Sequence, residues 1–285
     1  MEAGAHDGRL AADVLTYLHA CEPALANRLE YWLLEPSERR YAWQRENLAA
    51  FGGQVHWAGE MRELPRIRGV VFSNELLDAL PVRRLQWEGC PGGWRELGVT
   101  WERDHFEWTT LPGERVALAP EVPPELRTAL PRGYTLEVGL AARDWWWEAA
   151  SQVEAGWLMT LDYGDAPGTH LLPERPGGTL RAFRQHKIAP DVLADPGQQD
   201  LTAHVDFGVI RAAGEAAGLE TEGLCRQETF LAGILADLEQ RTTPFPPWTP
   251  ARRRQCLTLL HPSHLGASHL VLVQRRRKGR PHAHD

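Results

Sequence analysis

A parallel, doubly wound α/β sheet interrupted by an antiparallel meander is the fold that this 285-residue sequence predicts. Two observations predict it. In the first third, short apolar runs alternate with segments whose apolar residues recur at helical spacing, the pattern of βαβ crossovers. Between Val82 and Leu111 the pattern changes to the β-like runs VRRLQWE, WRELGVTW and FEWTTL, broken by Cys90-Pro91-Gly92-Gly93. A chain that is 43% hydrophobic and 24% charged is also long enough to bury a sizeable core.

Taken in order, Leu10, Val14, Leu15 and Leu18 make one apolar stripe of a helix that follows a turn at residues 4–8. Tyr31-Trp32-Leu33-Leu34 is a strand that stops at Glu35-Pro36, and Ser37 then caps a helix carrying Tyr41, Gln44, Leu48 and Phe51. Residues 54–58 and 69–73 read as further strands. Past the meander, a helix is expected over 144–155, a strand over 156–163, and helices over 205–217 and 227–240. A helix from Pro250, with Thr249 as cap and Pro262 beyond its end, precedes a last strand over 269–274. Residues 164–199, rich in Gly, Pro and Asp, read as a long loop over an open end of the sheet. The expected organisation is a first part of an α/β domain over 1–81 and an inserted β-rich subdomain over 82–132. The rest of the α/β domain with its substrate-side loops spans 133–274, and a basic, histidine-bearing tail, expected to be disordered, spans 275–285.

The formal net charge of −7 gives no overall cationic field for nucleic acid or anionic lipid, so neither is an expected partner. Cys21, Cys90, Cys225 and Cys256 are widely spaced, without a CxxC pair, and read as reduced thiols rather than a zinc ribbon or disulfide framework. No apolar run approaches the ~18 residues of a membrane span, and MEAGAHDGRL has neither the basic start nor the apolar stretch of a signal peptide. The expected location is the cytosol.

Three strand ends carry polar groups. Glu2-Ala3-Gly4-Ala5-His6-Asp7-Gly8 leads directly into a helix, where Gly4 and Gly8 allow a tight turn and the helix N–H groups attract an anion; the same turn also serves purely structural ends in many proteins. Glu35 ends a strand thirty-three positions after Glu2, where a carboxylate can accept two hydrogen bonds from a ribose diol or favour the dipole of the following helix. Together they point to an adenosine-containing ligand. In Gly69–Pro81 a buried strand runs straight into Asn74, Glu75 and Asp78, at the edge where an open α/β sheet binds ligands. Asp162 and Tyr163 end another strand in the same manner. His186 and His204, in FRQHK and LTAHVD, are substrate-side candidates for a base or a steering group, or hydrogen-bonded structural residues. Trp145-Trp146-Trp147 reads as packing rather than a stacking platform.

With these residues in place the chain resembles the MidA-like S-adenosylmethionine-dependent methyltransferases, a family that includes the mitochondrial complex I assembly-factor arginine methyltransferase. The resemblance lies in EAGAHDGRLAADVL, LEPSERRYAWQ, VVFSNELLDALPV, LDYG, GGTLRAFRQH, DPGQQDLTAHVDF and QETFLAGI, in the family's order from residue 2 to about 235. It implies a Rossmann-like class I methyltransferase sheet, with S-adenosyl-L-methionine lying across the strand ends. Glu2, Gly4, Gly8, Glu35 and Asn74 would then bind the cofactor, with Gly4 and Gly8 against its amino-acid part and Glu35 on its ribose. Asn74 and Glu75 would line the methyl-donor and substrate side. The sequence departs from the family at His6, where a glycine is usual, and before Glu2, where a strand is usual. That second departure carries the expectation that the central strand is missing from this chain and that an apolar run of about five residues belongs upstream of Glu2.

The implied reaction needs no metal, because a sulfonium methyl is already activated; it needs an in-line nucleophile held near ~3 Å. A guanidinium, with a pKa above about 12, must be gripped by carboxylates. Glu75 and Asp78 fit that grip, Asp162 fits assistance or proton removal, and Glu75 is the first choice. The expected activity is methylation of an arginine on a partner protein. The alternatives are a small-molecule methyltransferase and a non-catalytic assembly factor that keeps the cofactor pocket.

Overall fold

The computed structural model describes residues 1–112, 122–185, 187–239 and 248–277. Along the chain come β1 (Glu2–Ala3), α1 (Arg9–Cys21), α2 (Pro23–Ala26), β2 (Tyr31–Leu34), α3 (Glu38–Asn47), β3 (Val55–Ala58) and β4 (Ile67–Asn74). The meander follows as β5 (Arg83–Trp87), β6 (Trp94–Glu102) and β7 (His105–Thr110), then α4 (Pro124–Arg127), β8 (Thr135–Val138), α5 (Leu140–Gln152) and β9 (Val153–Asp165). The remainder is β10 (Arg181–Arg184), β11 (Lys187–Ala189), β12 (Asp200–Thr202), β13 (Val205–Asp206), α6 (Phe207–Ala216), β14 (Glu220–Arg226), α7 (Gln227–Glu239), α8 (Pro250–Leu260) and β15 (His269–Arg276).

These elements form two compact units. The first gathers Met1–Leu76, Trp145–Tyr163 and the chain from Arg211 onward. Its sheet runs β14-β15-β9-β4-β1-β2-β3. Strands β3, β2, β1, β4 and β9 are mutually parallel, and β15 is antiparallel to both β9 and β14. The chain order reverses between β1 and β4, and it is at such a switch point, at the carboxyl ends of the strands, that an open α/β sheet takes its ligand. Ala11, Leu15, Leu33, Leu48 and Val55 build the core under β2 and β3. The α1 stripe is shifted from the expected one: Leu10 is 46% exposed, whereas Ala11 and Leu15 are fully buried. Both expected caps are present, Ser37 Oγ accepting from Arg40 N–H and Thr249 Oγ1 from Arg252 N–H.

The place expected to lack a central strand holds the two-residue β1. Glu2 and Ala3 pair with Leu33 and Leu34 on one side and with Phe72 and Ser73 on the other. The amino nitrogen of Met1 donates to Val70 O at 2.7 Å, and Phe72 N–H donates to Met1 O. Strand β14 has no counterpart in the sequence reading: ETEGLCR holds one large apolar residue, and its pairing with β15 makes it a strand.

The second unit comprises Leu77–Asp144 and Gly164–Ile210. Its four-stranded antiparallel sheet has the order β7-β6-β5-β8, so the meander is as expected but gains β8. Leu85, Trp87, Trp94, Tyr134 and Leu136 fill its core. The unit is larger than residues 82–132, because β8 pairs with β5 and Ala203 N–H donates to Asp78 O. The expected loop over 164–199 instead contains β10 and β11, which with β12 form a second antiparallel sheet; the Gly and Pro of this stretch mark its turns. Strand β13 occupies the start of the helix expected over 205–217 and pairs with Gly164 and Asp165, where a Cβ on Gly164 would lie 2.1 Å from Val205 O. Two other helix boundaries shift as well. Helix α5 starts at Leu140, its first turn closed by Arg143 N–H on Gly139 O, and yields to strand at Val153. His186 and residues 278–285 of the tail lie outside the described residues.

Candidate functional site

The turn after β1 is built for close backbone approach. Gly4, His6 and Gly8 all have positive φ, +75°, +48° and +82°. Gly8 N–H closes the turn on Ala5 O at 2.7 Å. A Cβ on Gly8 would meet Leu48 at 3.1 Å in a backbone conformation that L residues rarely adopt, which is why glycine stands there. His6 adopts the left-handed region, which histidine enters more readily than most residues. Gly8 lends no side-chain acceptor to the start of α1, where Arg9 N–H donates to Asp7 Oδ1 at 3.2 Å and the remaining N–H groups of the first turn suit an anionic group.

Helix α3 fastens this turn to the end of β2. Gln44, fully buried, donates from Nε2 to His6 O at 3.0 Å and to Glu35 Oε2 at 2.9 Å, while its Oε1 accepts from Trp57 Nε1–H at 3.1 Å. Asn47 Nδ2 donates to Asp7 O. Glu35 Oε1 accepts from Ser37 N–H at 2.9 Å. Each Glu35 oxygen thus has one internal donor, and a carboxylate oxygen has room for a second. A ribose diol fits that remainder. Glu2 is different: its Oε2 accepts from Tyr31 OH at 2.6 Å, and burial pushes its pKa above the usual carboxylate range. This bond joins β1 to β2. Tyr31 and Gln44 read from the sequence only as strand and helix residues, and Asn47 carries no signal there; the one available hint of a site role is a glutamine on the apolar face of α3.

On the other side of the switch point, β4 delivers Asn74 and Glu75. Glu75 has φ +46°, a left-handed conformation that is uncommon for a non-glycine residue and marks a constrained site. Three contacts hold this bend. Glu75 N–H donates to Leu161 O, Leu76 N–H donates to Asp162 Oδ2 at 3.2 Å, and the Leu76 side chain lies against Gly4. Asp162 is fully buried and its Oδ1 takes Tyr163 N–H, so it shapes the bend that presents Glu75. The Glu75 side chain is 55% exposed, and His269 Nε2 stands 3.5 Å from its Oε1. Hydrogen bonding with His269 holds the Glu75 carboxyl below its usual range, against an opposing burial effect. His269 was missed in the sequence because it starts β15, more than 190 residues from Glu75.

The remaining candidates belong to the second unit. Asp78 is buried there. His204 Nδ1 lies 3.2 Å from Asp165 Oδ1 and 3.0 Å from Arg175. Burial works to raise the Asp165 pKa, but hydrogen bonds from His204 and Arg175 outweigh it and hold the carboxyl low. Asp165 and His204, with His170, Thr179, Val205 and Asp206, line a cavity of about 260 Å³ within this unit. The structure therefore brings Glu75, Asp162 and Tyr163 together at one sheet edge of the first unit, while Asp78 and His204 belong to the second. Among the described residues no group of His, Cys, Asp and Glu is arranged to hold a metal ion.

A sheet of this order, with a glycine turn after the first strand and an acidic residue after the second, defines the class I methyltransferase fold. Residues 1–225 match the S-adenosyl-L-methionine-dependent methyltransferase family that contains the MidA-like proteins, and the chain belongs to that family. Among curated relatives, the Drosophila melanogaster homolog of the mitochondrial protein arginine methyltransferase NDUFAF7 is 28% identical over 193 residues, which is 64% of this chain and 40% of that protein. The Homo sapiens NDUFAF7 is 29% identical over 230 residues, 75% of this chain and 47% of its own. The chain spans about half the length of the curated relatives it matches. A Burkholderia thailandensis protein crystallised with S-adenosyl-homocysteine superposes with a TM-score of 0.81 at 30% identity, covering 97% of this chain and 70% of that one. A native crystal structure of a protein of the same superfamily and organism gives 0.79 at 29% identity, with 97% and 73% covered. The family is S-adenosylmethionine-dependent, and the positive-φ turn, the Glu35 oxygens and the start of α1 fit that cofactor.

Proposed function

We propose that this protein transfers a methyl group from S-adenosylmethionine to an arginine side chain of a partner protein. The observation that carries the reading is Glu75, a constrained, half-exposed carboxylate placed beside the glycine turn by the contact of Leu76 with Gly4. The curated relatives named as protein arginine methyltransferases support the same acceptor.

S-adenosylmethionine, when bound, supplies a methyl group already activated on a sulfonium sulfur. The residues of this chain then have three tasks. The turn at residues 4–8 and the first turn of α1 hold the amino-acid part, and Glu35 holds the ribose through the free capacity of its two oxygens. Asn74 and Glu75 border the donor side. Glu75 grips the guanidinium, which is cationic at neutral pH, through charge-assisted hydrogen bonds and aims one nitrogen at the methyl group. The positive charge that the methyl transfer leaves on the acceptor is balanced at the Glu75 carboxylate, which carries the departing proton toward water. A reducing compartment, the cytosol, suits the four cysteines, all of them free thiols.

Incubating the chain with S-adenosylmethionine and arginine-bearing candidate proteins, followed by intact-mass analysis, tests this reading. The expected product is heavier by one methylene unit, and replacing the modified arginine by lysine abolishes it. Cofactor binding without any methylated protein, together with a methylated metabolite in a small-molecule screen, would overturn the protein-acceptor reading.

A further inference from the structure

His269 lies beyond residue 225, where the match to the methyltransferase family ends, yet β15 returns it to the edge of the sheet that carries Glu75. We propose that His269 is a positioning residue: its imidazole holds the Glu75 carboxylate in the orientation that grips the methyl acceptor, a role that rests on the methyl-transfer reading given above.

The geometry is specific. In the β15–β9 ladder His269 stands directly opposite Tyr163, and the two rings lie 6.2 Å apart. The imidazole is 10% exposed, so it cannot swing into solvent, whereas the carboxylate it faces is 55% exposed. Its two nitrogens have different neighbours: Nε2 lies 3.5 Å from Glu75 Oε1, and Nδ1 lies 3.0 Å from Ser268 Oγ. Glu75 needs such a support because its left-handed backbone is fixed by Leu161 and Asp162 while its side chain would otherwise keep several rotamers. A ring anchored in the sheet removes that freedom before the acceptor arrives, which is how preorganised charge contributes most to a transition state.

The contact has two protonation states. Ser268 Oγ also stands 3.4 Å from the carbonyl oxygens of His264 and Leu265. With the hydroxyl proton directed to Nδ1, the ring is neutral and donates from Nε2 to Glu75. With that proton directed to a carbonyl, Ser268 accepts from Nδ1–H and the ring is an imidazolium ion-paired with Glu75. The titratable groups facing the ring are Glu75 from the end of β4 and Tyr163 from β9; Asp162 is turned toward Leu76 and Tyr163 N–H.

Two measurements on the full chain test the proposal. The first is independent of turnover: a comparison of the NMR chemical shifts of the His269 ring in the wild type and in Glu75→Gln. Loss of the facing carboxylate is expected to move the ring resonances, and unchanged ring shifts overturn the contact. The second is a double-mutant cycle on methyl transfer. His269→Ala is expected to lower kcat about tenfold with cofactor Kd within about twofold, His269→Gln to recover part of the loss through its amide N–H, and His269→Ala to cost nothing more in the Glu75→Gln background. Equal losses in both backgrounds, or a loss confined to cofactor affinity, overturn the positioning role. Should His269→Ala fail to melt cooperatively, the conservative His269→Gln and the NMR comparison decide alone. A wild type that methylates nothing while the imidazole still responds to Glu75→Gln removes the methyl-transfer reading and the positioning role with it, leaving only the contact. Methyl transfer with an unresponsive imidazole removes this inference alone.

Discussion

Glu35 and Glu75 each follow a parallel strand of the same sheet, on opposite sides of the point where strand order reverses, yet they are held in opposite ways. Glu35 is 6% exposed and takes donors from Ser37 and Gln44 on its two oxygens. Glu75 is 55% exposed at its side chain, sits on a left-handed backbone, and meets one buried imidazole. A group that must recognise the same diol in every cycle gains from being satisfied and rigid beforehand. A group that must grip a charged acceptor and then release the product gains from an open face above a fixed base. In the proposed function the cofactor side is thus built by networks inside α3 and the turn, and the acceptor side by one bend presented to solvent.

The strongest break in this contrast comes from Glu75→Gln. The variant keeps the shape and loses the charge, so methyl transfer is expected to fall about 10²- to 10³-fold while cofactor affinity stays within about twofold. Turnover assays and isothermal titration, run on the same preparation, measure the separation; parallel losses would move Glu75 to the cofactor side. Next is Gln44→Ala, which empties a fully buried site and strands the His6 carbonyl, a Glu35 oxygen and the Trp57 N–H. A loss of about 2 to 4 kcal/mol in unfolding free energy is expected by denaturant titration, with weaker cofactor binding in whatever remains folded. Glu35→Ala is expected to lower cofactor affinity roughly ten- to a hundredfold, because charge-assisted hydrogen bonds to a ribose are worth about 1.5 to 3 kcal/mol each. Unchanged affinity by calorimetry would return Glu35 to a role in capping α3.

The smallest effect concerns pH. Burial raises the pKa of Glu2 in the folded chain, outweighing the Tyr31 hydrogen bond and the nearby amino group. The folded state therefore binds a proton that the unfolded state has released, and stability from this group is full at low pH and lost as pH rises from 4.5 through the folded pKa. Glu2→Gln retains an acceptor for Tyr31 and has no charge to bury. Its melting temperature is expected to exceed that of the wild type by an amount that grows as pH rises through this window. A difference that is constant or shrinks with pH would show that Glu2 is not the group responsible.

Local chemistry made the cofactor half legible. The turn between Gly4 and Gly8 announces itself because positive φ selects glycine, and Glu35 because it ends the apolar run YWLL, where a carboxylate serves either a ribose or the following helix. The acceptor half was legible only as far as β4 carries it. Asn74, Glu75 and Asp78 are close in sequence, but the chain turns at Glu75, so Asp78 enters a different unit. Asp162 reads as a reactive carboxylate from its place at a strand end; the structure adds that it is buried and tied by two backbone donors to the bend at Glu75.

Periodicity and turn chemistry determined from the sequence alone that this chain is a doubly wound α/β protein with an antiparallel insertion, because spacing of apolar residues and glycine's freedom are local properties. Tertiary structure alone decided which polar groups meet. Gln44 ties Glu35 to the turn through a helix face, and His269 reaches Glu75 only because β15 runs antiparallel against β9. Pairing registers and burial are set by contacts between segments far apart in the chain, and no local pattern of residues encodes them.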